Sequence, residues 1–229
     1  LGDVYKRQAV DKAEDNQELC AKLNSEAVGY LAKAAEENQA EFIQISTDYV
    51  FDGTNYVPYR ETEPTCPNSV YGVTKLAGEK KALEYCSKAM IIRTAWLYSV
   101  FGNNFVKTMI RLGKERESLG VIFDQIGTPT YARDLASAVF AAIRKGIIPG
   151  IYHFSNEGVC SWYDFTKSIH RIAGIGNCKV SPLHTDEYPA KAPRPHYSVL
   201  DKTKIKHTYG IEIPHWEESL EQCIKELNV

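Results

Sequence analysis

The sequence lacks the features of a membrane-spanning or nucleic-acid-binding protein. No apolar run in its 229 residues approaches the ~20 residues that a spanning helix needs. Residues 1–8 contain no apolar stretch of the kind that a signal peptide requires. Lysine and arginine number 27 against 29 acidic residues, so the formal net charge is −2 and no global positive field attracts nucleic acid or anionic lipid. We therefore expect neither a membrane nor a nucleic acid as a partner.

The cysteines lack the spacing of a metal site or a redox motif. None of the six forms a C-x-x-C pair, and no histidine cluster lies beside them at zinc-ligand spacing. Unpaired cysteines are typical of reducing compartments. The sequence therefore predicts reduced, mostly buried thiols in a cytoplasmic protein and no metal site. These cysteines are Cys20, Cys66, Cys86, Cys160, Cys178 and Cys223.

Short apolar segments alternate with amphipathic ones along the chain, which is the pattern of an α/β protein. A predicted strand at residues 41–45 is followed by a turn-rich loop, a helix at 69–86 and a second strand at 89–94. Strand, loop, helix, strand is the repeating unit of a parallel sheet. Before the first strand, apolar residues at steps of three and four predict a helix over residues 14–37. Its buried face is expected to carry Leu19, Leu23, Ala27, Leu31 and Ala34.

The later part of the chain predicts further helices and one short strand. The helices span residues 104–115, 132–145, 162–173 and 216–227, and Ser161 is the expected N-cap of the third. The short strand lies at residues 152–154. No low-complexity linker separates these elements, so any second domain is packed closely against the first.

Tyr71 and Lys75 are four residues apart at the start of a predicted helix. Side chains at this spacing lie on one helical face, one turn apart. A free phenol has a pKa of about 10 and transfers protons poorly at neutral pH. At an effective dielectric of ~20, two unit charges ~4 Å apart interact by about 4 kcal/mol, or roughly three pKa units. An adjacent ammonium therefore suits the phenol for general acid–base catalysis, although this spacing also arises in helices by chance.

Three polar residues, Ser46, Thr47 and Asp48, follow the first predicted strand. Open α/β sheets bind their ligands at the carboxyl ends of the strands. The Thr47 hydroxyl is therefore placed to bond a substrate carbonyl and orient it towards Tyr71. The alternative interpretation is that these residues only form the turn after the strand.

Two motifs occur in order on consecutive strand and helix units: S-T-D-Y-V-F-D-G at residues 46–53 and Y-G-V-T-K at residues 71–75. They are accompanied by A-V-D-K-A-E-D at 9–15, R-T-A-W-L-Y at 93–98, D-Q-I-G-T-P-T at 124–130 and S-W-Y-D-F at 161–165. With this combination the chain resembles the dTDP-4-dehydrorhamnose reductases, a family of the extended short-chain dehydrogenase/reductase superfamily. The resemblance runs in unbroken order from residue 9 to the C-terminus.

The resemblance implies an enzyme that transfers a hydride from NADPH or NADH to the C4 ketone of a dTDP-linked 4-keto-6-deoxyhexose, giving dTDP-L-rhamnose. It implies that Tyr71 donates the proton, and that Lys75 lowers the pKa of Tyr71 and holds the nicotinamide ribose. It also implies that Thr47 bonds the substrate oxygen, and that Asp48 and Trp96 line the sugar site.

Other parts of the chain receive secondary roles from the same resemblance. Asn24 is expected to be structural and to bond nearby backbone, while Arg194 and the loop at residues 124–130 are expected to contact the nucleotide side of the substrate. A homodimer is an assembly that the resemblance allows.

The sequence departs from the family in lacking its glycine-rich turn. The family begins with a strand and a G-x-x-G-x-x-G turn, which lets the backbone and a helix N-terminus approach the cofactor pyrophosphate. None of the fifteen glycines forms that pattern. We therefore expect an N-terminally truncated member with a partial Rossmann-type parallel sheet and an unpaired strand edge. As an isolated chain it is expected to aggregate, to oligomerise, to bind NADPH very poorly or to be inactive.

The expected domain organisation follows from this departure. Residues 1–8 form a non-matching segment, and residues 9–96 are the remnant of the dinucleotide-binding domain. Residues 97–229 form a smaller C-terminal α/β subdomain that binds the sugar nucleotide, with a return to the Rossmann domain near 120–150.

Two alternative functions stay open on the sequence. One is another nucleotide-sugar epimerase or 4-keto reductase, which would share Tyr71 and Lys75. The other is a non-catalytic regulatory subunit, because the β subunit of methionine adenosyltransferase also resembles this family.

Overall fold

The computed structural model describes residues 10–188 and 190–228, so the predicted non-matching segment 1–8 lies outside the described residues. Its helices are α1 (Val10–Asp15), α2 (Gln17–Ala21), α3 (Ala27–Glu37), α4 (Val70–Tyr85), α5 (Phe105–Glu115), α6 (Ala132–Lys145), α7 (Trp162–Ile172), α8 (Thr203–Tyr209) and α9 (Trp216–Leu227). Its strands are β1 (Phe42–Thr47), β2 (Ala89–Thr94), β3 (Leu97–Tyr98), β4 (Ser118–Ile122), β5 (Ile126–Gly127), β6 (Thr130–Tyr131), β7 (Gly150–His153), β8 (Cys160–Ser161) and β9 (Lys179–Leu183). Within these ranges no helix is long and apolar enough to cross a bilayer.

The predicted parallel α/β sheet is confirmed. Strands β1, β2 and β7 pair in parallel in the order β1-β2-β7. Every residue of β2 is buried, and its side chains alternate between two cores. Ile91 packs with Val28 and Ala82 from α3 and α4, whereas Ile92 packs against α6 and α8. Helices on both faces explain why the strand is apolar along its whole length.

Strand β1 lies at one side of the three-stranded sheet. It pairs with β2, and no other strand of the described chain pairs with its second edge. The polar carboxyl end of β1, where Ser46 and Thr47 are buried, lies beside Arg93 and Thr94 of β2.

A second core lies beyond the sheet. Strands β4 and β9 pair in parallel, and α5, α7 and α9 pack over them around Phe165, Ile169 and Leu220. Between these elements the chain returns to the sheet, because α6 and β7 contribute Leu135 and Tyr152 to the core around Ile92. The proposed division between residues 96 and 97 stays a prediction.

The predicted single helix at residues 14–37 is wrong in its continuity and in its buried face. The structure has α1, α2, a π-helical turn at Lys22–Glu26 and α3. Leu19 and Leu31 are exposed, and the buried positions are instead Cys20, Asn24, Ser25, Val28, Gly29 and Ala32. The physical reason is close packing against α4, because a Cβ added to Gly78 would lie 2.1 Å from the Asn24 carbonyl oxygen. The two helices approach so closely that small side chains fit between them, whereas large apolar side chains such as those of Leu19 and Leu31 do not.

Asn24 is buried in that contact and ties the π-helical turn to α4. Its amide nitrogen donates to the Thr74 hydroxyl at 3.2 Å. A structural role therefore fits Asn24, but its partner is a side chain of α4 rather than nearby backbone.

Candidate active site

The carboxyl end of β1 turns sharply into a 3-10 turn at Asp48–Val50. The backbone N–H of Tyr49 donates to the Thr47 hydroxyl at 3.2 Å, which caps the turn. The same hydroxyl donates to the Asp48 carboxylate oxygen Oδ1 at 2.9 Å. Thr47 is therefore engaged on both sides by its own turn.

Asp48 is a buried acid at the end of the strand. It is 3% exposed, and its second carboxyl oxygen, Oδ2, has no hydrogen-bond partner among the described residues. Burial disfavours the charged form and raises the pKa of Asp48 to about 6, although hydrogen bonds such as that from Thr47 oppose the rise. The carboxyl group is therefore able to change protonation near neutral pH.

Helix α4 brings Tyr71 and Lys75 to this turn. Ser69 caps the helix by accepting a hydrogen bond from the Gly72 N–H at 3.2 Å. Lys75 is 2% exposed, and its ammonium donates to the carbonyl oxygen of Ile45 in β1 at 2.7 Å. Tyr71 is 6% exposed and packs with Ala13 and Cys20 from the first two helices.

The ring of Tyr49 connects the strand end to the helix. It meets the Tyr71 ring edge-on, with ring centroids 5.6 Å apart. The predicted catalytic residues Thr47, Tyr71 and Lys75 are thus brought to one place, at the carboxyl end of β1. Their roles remain predictions.

A pocket of about 320 Å³ opens beside this turn, within the range of small-molecule sites. Tyr49 lines it, as do the predicted substrate residue Trp96 and the predicted nucleotide contact Arg194. Thr47, Asp48, Tyr71 and Lys75 are not among its lining residues. Other side chains in its wall are Phe105, Met109, Gln125, Trp162 and Tyr188.

Trp96 is held in a strained backbone conformation at the pocket wall. Its φ of 47° lies in the left-handed region, which is uncommon for bulky residues and costs of order 1–3 kcal/mol. Its indole stacks on that of Trp162, with ring centroids 3.5 Å apart and an interplanar angle of 10°. Gly127 also lies close to the Trp96 indole, since a Cβ added to Gly127 would lie 2.6 Å from Trp96 Cε2.

Replacing Gly127 by alanine is expected to displace the Trp96 indole and to lower the free energy of unfolding by about 1–3 kcal/mol, because the added methyl group overpacks a filled site. Near-ultraviolet circular dichroism should show a weakened signal from the stacked indole pair. Gly176→Ala is the control, since nothing lies within 4 Å of its added Cβ. Equal spectra and stabilities for the two variants would contradict the close contact.

Arg194 joins the pocket to the first helix. Its guanidinium donates to the Tyr49 hydroxyl at 3.0 Å and to the Asp11 carboxylate at 2.6 Å. Its side chain is about one quarter exposed. The planar guanidinium therefore lies at the pocket wall with its geometry fixed, as suits recognition of a phosphate or carboxylate.

A buried ion pair supports the strand end from beneath. Glu79, one turn after Lys75 on α4, accepts hydrogen bonds from Arg93 of β2 at 2.7, 3.0 and 3.2 Å and another from the Ser46 hydroxyl. The two charged side chains are 3% and 2% exposed. This network fixes α4 against β1 and β2. It lies next to Thr47, which follows Ser46, and one helical turn from Lys75.

Sequence reasoning did not assign roles to Tyr49 and Trp162, although both stand inside the quoted motifs. The motif at residues 46–53 could have indicated a role for Tyr49 at the site, since Tyr49 immediately follows the predicted substrate residue Asp48. No local signal predicts the stacking of Trp162 on Trp96, because the two residues come from separate elements. Within the described ranges, no group of three or more His, Cys, Asp or Glu side chains is arranged to hold a metal ion.

Comparison with known proteins matches the chain to one family. Residues 5–229 match the family described as the RmlD substrate binding domain. The dTDP-4-dehydrorhamnose reductase of Escherichia coli is 44% identical over 228 residues, covering 96% of this chain and 76% of that protein.

Solved structures agree. The dTDP-4-dehydrorhamnose reductase of Clostridium acetobutylicum superposes with a TM-score of 0.94 at 46% identity, covering 97% of this chain and 79% of the other. The Bacillus anthracis reductase, solved in complex with NADP, gives a TM-score of 0.93 at 41% identity, with coverages of 96% and 78%. The chain therefore belongs to the RmlD substrate-binding domain family, the family of the dTDP-4-dehydrorhamnose reductases.

Proposed function

We propose that this chain reduces the C4 ketone of a dTDP-linked 4-keto-6-deoxyhexose to a hydroxyl group, giving dTDP-L-rhamnose. The observation that carries the proposal is the assembly of three groups around one strand end. Thr47 ends β1, the Lys75 ammonium binds the β1 backbone two residues earlier, and Tyr71 meets the ring of Tyr49 two residues after Thr47.

Each group has a chemical task in this reaction. The Tyr71 hydroxyl donates a proton to the carbonyl oxygen as negative charge develops there. The Lys75 ammonium stabilises the phenolate that remains, and the Thr47 hydroxyl orients the ketone. Trp96 and Arg194 act on the bound substrate from the pocket, Trp96 against the sugar and Arg194 towards the diphosphate.

NADPH or NADH, when bound, supplies the hydride. The described residues fit the nicotinamide end of such a cofactor, because the buried ammonium of Lys75 is fixed beside the end of β1, where α/β sheets bind ligands. The glycine-rich turn that would hold the pyrophosphate does not occur in the sequence. We propose NADP(H) because the Bacillus anthracis relative was solved with NADP.

The test is to incubate the chain with NADPH and a dTDP-linked 4-keto-6-deoxyhexose, following nicotinamide absorbance and identifying the sugar product. The expected result is NADPH oxidation that matches dTDP-L-rhamnose formed. Epimerised sugar without NADPH oxidation would instead favour the epimerase alternative. Capture of a methionine adenosyltransferase, with no reduction of the ketone, would favour the regulatory alternative.

We also propose a cytoplasmic location. All six cysteines are free thiols, and five of them are buried. Free thiols persist in reducing compartments, whereas oxidising compartments favour disulfides.

A further inference from the structure

The hydrogen bonds of Thr47 limit what its hydroxyl can offer a substrate. A threonine hydroxyl has one proton to donate and two lone pairs to accept with. The Tyr49 N–H occupies one lone pair, and the proton is donated to Asp48 Oδ1 at 2.9 Å. A ketone oxygen only accepts hydrogen bonds, so Thr47 in this arrangement has no proton for it.

Protonation of Asp48 removes this conflict. A carboxylic acid carries a proton of its own, and Oδ1 is already within hydrogen-bond distance of the remaining lone pair on the Thr47 oxygen. With Asp48 donating to Thr47, the Thr47 proton is released to point at the ketone. The burial of Asp48 and its unbonded Oδ2 make the neutral form accessible.

We propose that Asp48 is a positioning residue that selects the oxidation state of the ligand: as a neutral acid it makes Thr47 a donor suited to the C4 ketone, and as a carboxylate it makes Thr47 an acceptor suited to a C4 hydroxyl. This inference rests on the proposed function and deepens it. It assigns to one carboxyl group the discrimination between the substrate and the product of the same site.

The surroundings of Asp48 are consistent with a change of charge there. The raised pKa, about 6, places the change near neutral pH. Hydrogen bonds, that from Thr47 foremost, favour the carboxylate, and burial together with the negative charge of Asp48 raises the pKa of the Tyr49 phenol. The neighbouring elements carry two described cations that are already bonded: Arg194 to Tyr49 and Asp11, and Lys75 of α4 to Ile45.

The sign of the pH dependence follows from these states. A ketone binds better to the form with protonated Asp48, so its affinity falls as pH rises through the pKa of Asp48. A hydroxyl group can donate as well as accept, so its affinity does not fall in the same way. The ratio of the two affinities is therefore the quantity to measure.

The experiment is isothermal titration calorimetry of the full chain with the dTDP-linked 4-keto-6-deoxyhexose and, separately, with dTDP-L-rhamnose. Between about pH 5 and about pH 8, the ratio of ketone affinity to hydroxyl affinity is expected to fall about tenfold, the value of one hydrogen bond. Titrations near pH 6.5 in two buffers of different ionisation enthalpy should show uptake of about half a proton with the ketone alone, because a tenfold change in affinity corresponds to a pKa shift of about one unit.

Asp48→Asn provides the matched variant, since its amide N–H₂ donates to Thr47 as the neutral acid would. In this variant we expect the ratio to stay at its low-pH value throughout and the proton uptake to vanish. Asp52→Asn is the control, because Asp52 belongs to the same loop but bonds Thr54 and Tyr59. It should follow the wild-type profile.

The same titrations distinguish a wrong role for Asp48 from a wrong sugar-nucleotide site. If both sugars bind but their ratio in the wild-type chain is independent of pH, or no proton is taken up with the ketone, the role of Asp48 is overturned while the sugar site stands. If neither sugar nucleotide binds, the proposed function is overturned together with this inference. The wild-type titrations decide the matter even if Asp48→Asn does not fold.

Discussion

Replacing Tyr71 by phenylalanine is expected to lower kcat for ketone reduction by about 100-fold or more while leaving the affinity for dTDP-L-rhamnose within about twofold. The change removes one oxygen atom and with it the proton donor, and positioned general acids contribute about 10²–10⁴-fold. The ring remains, so its packing with Ala13 and Cys20 and its edge contact with Tyr49 persist. Steady-state kinetics and calorimetric titration measure the two quantities separately.

Tyr56→Phe is the control for this prediction. Tyr56 is 88% exposed, so loss of its hydroxyl should change neither kcat nor affinity. If Tyr71→Phe and Tyr56→Phe turn over equally well, Tyr71 is not the proton donor. If Tyr71→Phe instead loses sugar-nucleotide affinity with kcat preserved, Tyr71 contributes to ground-state binding and not to proton transfer.

Removal of the Glu79 carboxylate is expected to cost about 3–5 kcal/mol of the free energy of unfolding. Glu79→Ala leaves the Arg93 guanidinium buried without its counter-charge, and breaking a buried pair from one side carries a cost of that order. Among the described residues, one buried nitrogen of Arg93, Nη1, already has no hydrogen-bond partner, so the structure shows no second acceptor that could replace Glu79. Urea unfolding followed by far-ultraviolet circular dichroism gives the value.

Two further variants make this prediction specific to burial. Glu115→Ala breaks an exposed pair with Arg111, at 2.8 Å, and should change stability by less than about 1 kcal/mol. Replacing both Glu79 and Arg93 by apolar residues, as in Glu79→Leu with Arg93→Met, should recover much of the loss because no charge is left buried. A Glu79→Ala effect as small as that of Glu115→Ala would show that water reaches the pair.

The sequence predicts those elements whose signal is local. Strand β2 and helices α6 and α9 have the predicted bounds, since a continuous apolar run and a regular helical period carry the information within the segment itself. Strands β4 and β9 were not predicted. S-L-G-V-I and K-V-S-P-L are short and contain glycine or proline, and their pairing joins distant parts of the chain. Local patterns do not encode such a partnership.

The same distinction applies to the helical stretch before β1 and to the site. The leucines at 19 and 31 follow a helical period, yet the packing face was decided by Gly78 on another helix, whose lack of a side chain lets Asn24 approach. At the site, motif spacing predicted that Thr47, Tyr71 and Lys75 lie at the carboxyl end of one strand, and the contacts of Lys75 with Ile45 and of Tyr71 with Tyr49 support that prediction. The pocket wall could not be foreseen, because Trp96, Trp162 and Arg194 meet only after distant segments fold.

The contacts between the pocket segment and the first helix bear on any shortened version made for crystallisation or expression. Asp11 holds Arg194 and also accepts a hydrogen bond from the Ala192 N–H at 3.1 Å, while Asp15 binds Lys191 at 2.8 Å. A deletion that ends after Asp15 would cut all three tethers, although it removes no residue from the pocket lining. Helix α1 thus anchors the segment at residues 191–194, near the other end of the sequence. Helix α1 and this segment are therefore best kept, or exchanged between relatives, as one unit.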